Sequence, residues 1–103
     1  MGAEQFKTVA HGATVKEAFD YAVNEAQYDY GHAGYTGTIA EKDEYTVISD
    51  TAGKSRDEAN ELADKLLRDS DERIDDKWGP AGAIRFNVEG QQPGWLFFGW
   101  ASS

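Results

Sequence analysis

The chain contains no cysteine. That removes disulfides, thiolate zinc sites, iron–sulfur clusters and thiol nucleophiles together, and the fold must stand on packing alone. No apolar run reaches the roughly 18 residues that a membrane-spanning helix needs, and Met1 to Ala10 holds neither a basic nor a continuous apolar region. Neither a membrane span nor a signal peptide is expected, and the expected location is cytoplasmic. Positive charge is scarce: Lys+Arg 10 against Asp+Glu 19 give a formal net charge of −9. Such a balance opposes phosphate backbones and anionic lipid heads, so direct nucleic-acid binding and membrane attachment are disfavoured, while basic partners or simple solubility are favoured. Histidine is scarce too. His11 and His32 sit apart beside glycines, with no H-x-x-x-H or H-E pair to build a metal site and no oriented nucleophile to serve. No catalytic residue, metal or cofactor is expected.

What is present suffices for one domain spanning residues 1–103. Hydrophobic residues make up 40% and aromatic residues 13%, enough for a packed core in a chain of this size. Glu4 to Ala10 alternates loosely and reads as a short strand. Thr14 with Glu17 has the form of a capping box, and from Val15 the apolar residues Ala18, Phe19, Ala22, Val23, Ala26 and Tyr30 follow the 3.6-residue helical period, ending at Gly31. Thr38 to Ala40 and Glu44 to Ile48, joined by Glu41-Lys42-Asp43, read as a β-hairpin. Ser55 with Glu58 repeats the capping signature, and Ala59, Leu62, Ala63, Leu66 and Leu67 form a second helical stripe. Whether that helix crosses Asp69-Ser70-Asp71 is open, because these side chains compete for backbone hydrogen bonds; Gly79-Pro80 stops it in any case. Ala83 to Val88 alternates, and the loop from Glu89 to Gly94 returns the chain into Trp95-Leu96-Phe97-Phe98-Gly99-Trp100-Ala101 as a second hairpin. The expected fold is α+β, a two-layer sandwich in β-α-β-β-α-β-β order, with a mostly antiparallel sheet and both helices on one face.

Three motifs point to chemistry and weaken on inspection. Gly31, Gly34 and Gly37 mimic a phosphate loop, but they follow a helix C-terminus, whose dipole repels phosphate. Asp69-Ser70-Asp71 could open a calcium loop, yet Arg73, Ile74 and Pro80 occupy its fifth, sixth and twelfth positions, where an oxygen ligand, glycine and glutamate belong. The acidic run from Asp57 to Asp76 invites comparison with a nucleic-acid mimic. It is diluted by Arg56, Lys65, Arg68, Arg73 and Lys77, and Glu61/Lys65, Asp64/Arg68 and Asp69/Arg73 stand at i,i+4 spacing as on a solvated helix.

The final strand is apolar on both parities, with Trp95 and Phe97 on one side and Leu96, Phe98 and Trp100 on the other. One layer of helices hides only one of these sets. Either the strand is central and its second face is covered by the N-terminal segment or by the Trp78-Gly79-Pro80-Ala81-Gly82 loop, or that face is an exposed aromatic patch bordered by Arg85. In the second case Trp95, Phe97, Arg85 and Trp78, with His32 and Tyr35 of the glycine loop, are expected to dock a protein partner or a second copy of the chain as a homodimer.

The segments Gly31-His32-Ala33-Gly34-Tyr35-Thr36-Gly37-Thr38-Ile39-Ala40-Glu41-Lys42, Asp76-Lys77-Trp78-Gly79-Pro80-Ala81-Gly82-Ala83 and Trp95 to Ala101 resemble small uncharacterised proteins encoded by tailed bacteriophages. The resemblance carries no catalytic residues to transfer. It implies a short acidic phage accessory or anti-defence protein that binds a host protein inside the host cell. The expected function is therefore a non-enzymatic protein-interaction module. The alternatives are a small enzyme or ligand-binding protein, with His32, Tyr35 and Asp29 around a cleft by the glycine loop at 31–38, and an acidic nucleic-acid mimic.

Overall fold

The computed structural model describes residues 3–30, 38–50, 53–87 and 93–102. Strand β1 (Ala3–His11) leads into helix α1 (Val15–Tyr30). A single 3-10 turn (Ile39–Glu41) precedes strand β2 (Tyr45–Ser49), helix α2 (Arg56–Arg68) and strands β3 (Ala81–Phe86) and β4 (Gly94–Ser102). The α+β class and the order of elements match expectation, with the 3-10 turn standing where the first arm of the 38–48 hairpin was expected. Thr38 caps that turn, its Oγ1 accepting from the Ala40 N–H, and this local bond competes with strand pairing.

The four strands form one sheet in the order β1-β4-β3-β2. β4 is antiparallel to both β1 and β3, whereas β2 runs parallel to β3 with a register shift between Val47 and Ser49. β2, α2 and β3 thus make a parallel crossover, which needs a helix-length connection.

The helices lie on opposite faces, which corrects the expected two-layer arrangement. Trp95, Phe97 and Ala101 of β4 pack with Phe6, Ala10, Ala81 and Ala83 under Ala18, Phe19 and Ala22 of α1. Leu96 and Phe98 pack with Ile84 and Phe86 under Ala59, Ala63, Leu66 and Leu67 of α2. Adjacent residues of a strand point to opposite faces, so the double apolarity of β4 records a helix on each side of it. Phe97 and Phe98 are both fully buried, each worth about 1.5–3 kcal/mol in area removed from water.

Local chemistry explains the helix ends. Ser55 and Glu58 form the full capping box, and the Ser55 N–H holds the Glu58 carboxyl below its usual range. At the start of α1 the Thr14 Oγ1 accepts from the Glu17 N–H at 3.2 Å. α2 stops at Arg68: Asp69 caps it and Ser70 takes φ 53°, so the chain does not remain helical through 69–71. Turns from Asp71 to Pro80 then carry it to β3. The caps expected at Gly31 and the strand end expected at Val88 lie outside the described residues.

Candidate functional site

Trp95 is 6% exposed and Phe97 is fully buried. Neither contributes to a docking surface, because α1 covers the face of β4 on which they stand. Arg85 is half-buried directly opposite Trp95 across the β3–β4 ladder. The Nε of Arg85 and the Nε1 of Trp95 are both buried without a hydrogen-bond partner among the described residues. His32 and Tyr35 lie outside the described residues. Of the six residues expected to meet a partner, Trp78 stands out in solvent, 65% exposed.

Trp78 rides on a loop fixed from beneath by a residue that the sequence reading assigned only to a turn. Lys42 is 3% exposed, and its Nζ donates to the carbonyl oxygens of Asp76 at 3.3 Å, Lys77 at 3.1 Å and Gly79 at 2.8 Å. Burial pushes the Lys42 ammonium below its ordinary range, with nearby Asp76 partly opposing that. The ring of Phe6 lies 6.0 Å away. Within the loop, Asp76 Oδ1 accepts from the Trp78 N–H at 2.8 Å, and the Gly79 N–H donates to the Asp76 carbonyl at 2.9 Å. Buried Ile74 anchors the preceding turn to the α2 side of the sheet. Asp71 fixes that turn by accepting from the Arg73 backbone and pairing twice with its guanidinium. These bonds hold the Asp71 carboxyl down to about 2.

The ring of Trp78 opens on a shallow groove of about 520 Å³, walled by Trp100 and rimmed by Glu72, Asp75, Asp76 and Lys77. Trp100 is half-buried, and its Nε1 is a further buried donor without a partner among the described residues. Lys77 Nζ stands 5.3 Å from the centre of the Trp78 ring, within cation–π range. The C-terminal strand therefore supplies one aromatic residue to this surface, Trp100 rather than Trp95 or Phe97.

A second cleft, of about 430 Å³, lies between β1 and the C-terminal half of α1. Tyr21, Glu25, Asp29, Lys7 and Ile39 line it, and a hydrogen bond with Glu25 raises the Tyr21 hydroxyl above its usual value. Asp29 lines this cleft, whereas His32 and Tyr35, the other two residues of the ligand-site alternative, lie outside the described residues.

The acidic run is not one helical face, since α2 contributes 13 residues, about 20 Å, and the rest lies in turns. Its charges also pair differently from expectation: Asp64 bonds Lys7 of β1 at 2.7 Å, and Arg73 bonds Asp71 rather than Asp69. His11 is exposed, with its ring 6.1 Å from that of Phe86. Among the described residues, no cluster of three His, Asp or Glu could hold a metal ion, and no helix is long and apolar enough to cross a membrane. Comparison with family models, curated proteins and solved structures finds no match.

Proposed function

We propose that the chain is a non-enzymatic protein-interaction module that docks its partner on the Trp78 face. One observation carries this reading: an indole 65% exposed sits on a loop held by three hydrogen bonds from a buried ammonium. An exposed tryptophan on a pre-ordered loop loses little conformational freedom on binding, and aromatic anchors dominate interface energies. The net charge of −9 favours a basic partner. The resemblance to tailed-phage proteins supports the same reading, with a host protein in the host cytoplasm as partner.

The test is site-specific photo-crosslinking. Benzoylphenylalanine at position 78 is expected to give a discrete adduct that excess unmodified chain removes and excess Trp78→Ala chain does not. The same probe at Tyr21 or Tyr28 reports on the α1 cleft. Adducts from those positions alone would instead favour the second reading, a ligand or partner site beside Asp29, for which the 430 Å³ cleft speaks.

A further inference from the structure

Resting on the reading of this face as a docking surface, we infer that the Trp78 groove receives a cationic side chain, the guanidinium or ammonium of an arginine or lysine in a basic segment of the partner protein.

The charges at the groove fit that occupant. Glu72, Asp75 and Asp76 bring three carboxylates against the one ammonium of Lys77, which leaves the rim with two net negative charges. The three carboxylates have different duties. Asp76 is engaged with the Trp78 backbone N–H, whereas Glu72 and Asp75 are exposed and make no hydrogen bond to the described residues. Arg73, beside Glu72, makes its side-chain hydrogen bonds to Asp71 and acts on Glu72 through charge alone. Glu72 and Asp75 are thus the acceptors open to an incoming N–H donor.

The aromatic component points to the same chemistry. Lys77 Nζ above the Trp78 ring shows that this ring face attracts a cation in the chain's own structure, as the negative face of an indole quadrupole does. Lys77 occupies this place as a neighbour in sequence, and a partner's guanidinium would compete for it with two advantages. Its plane stacks on an indole, and its fork of donors matches a carboxylate in a way an ammonium cannot. Half-buried Trp100 forms the apolar wall for the aliphatic stem of that side chain.

Three indole N–H signals in an ¹⁵N-labelled full chain, assigned by single Trp→Phe variants, test this directly. Titration with hexaarginine is expected to move the Trp78 and Trp100 signals and leave the Trp95 signal in place. Glu72→Gln with Asp75→Asn, and separately Trp78→Leu, are each expected to weaken binding about two- to fivefold. Far-ultraviolet dichroism would confirm that both variants remain folded. Shifts spread along α2 instead of the groove, or affinity indifferent to the Glu72 and Asp75 changes, overturn the inference. If a neutral leucine-serine hexapeptide moves Trp78 and Trp100 while hexaarginine does not, the docking face stands and its preference for a cation falls. If no peptide moves Trp78, the inference falls, and crosslinking at position 78 decides the docking face independently.

Discussion

The ammonium of Lys42 donates a 2.8 Å hydrogen bond to the carbonyl of Gly79, joining the segment after the 3-10 turn to the loop that presents Trp78. A buried cation is costly, and this one is offset by three carbonyl dipoles.

Lys42→Met is expected to destabilise the chain by about 1–3 kcal/mol in urea unfolding, because three carbonyl groups lose a charged donor while the cost of burying the charge is also removed. The pH dependence has a definite sign. Burial lowers the folded-state pKa of Lys42 below its ordinary 10.5, so between those values the unfolded chain binds more protons. The stability of the wild type relative to Lys42→Met should therefore rise with pH as 10.5 is approached from below, and fall as pH drops through the folded value. A difference that declines with increasing pH would contradict the buried-charge account.

Asp71 and Arg73 contribute to the acid limb. The guanidinium and backbone N–H of Arg73 hold the Asp71 carboxyl at about 2, against an ordinary 3.8. Its contribution to stability is complete above 3.8 and disappears as pH falls through about 2. A carboxyl-detected NMR titration should place the Asp71 midpoint near 2, and Arg73→Met should return it toward 3.8. An unshifted midpoint in the Arg73 variant would assign the effect to the loop backbone.

Across β3 and β4, Arg85 and Trp95 each bury a nitrogen donor that no described residue accepts. An unmade hydrogen bond of this kind costs about 1–3 kcal/mol. Arg85→Met keeps much of the aliphatic stem and discards the donor, so it should stabilise the chain by about 0.5–1.5 kcal/mol. Trp95→Phe should cost less than an ordinary large-to-small core change, because lost packing is offset by the vanished N–H. Loss of stability in Arg85→Met would show that the guanidinium has an acceptor in solution.

Gly82 lies under the ring of Phe98, where a Cβ would stand 2.6 Å from two ring carbons and 3.0 Å from Ile74. Both neighbours are buried on the α2 side and have no room to yield. Gly82→Ala should therefore cost about 1–3 kcal/mol. Combining it with Phe98→Leu should cost less than the two changes summed, since the second removes the clash created by the first. Simple additivity would place the ring elsewhere.

Periodicity was enough to find both helices and the β3–β4 hairpin, because Ala18, Phe19, Ala22 and Ala59, Ala63, Leu66 are local stripes whose spacing does not depend on the rest of the chain. It could not say which face each stripe meets. Residues on both parities of β4 were legible as apolar, but whether helix or solvent covers the second set depends on where β2-α2-β3 crosses, a long-range choice. Of the proposed groove, Trp78 was legible as a large aromatic residue on a Gly-Pro loop. Lys42 was not, because a lysine in an acidic, polar turn gives no sign that three carbonyls 34 to 37 residues further along will surround it. Trp100 was read on the Leu96 and Phe98 side, where it packs, but not as part of the groove, because alternation gives parity without naming the cover.

β1 has its only described strand neighbour in β4, with Ala3 facing Ser102 and His11 facing Gly94. Its berth does not exist until the chain's fourth strand, at the far end of the sequence, is in place. Assembly must then wait on the closure of a very long loop, which slows folding relative to a chain of neighbouring hairpins. During that wait the β4 rings that end beneath α1 stay wet, and slow refolding with a concentration-dependent loss to aggregates is the kinetic signature of a sheet whose centre is built from its latest strand.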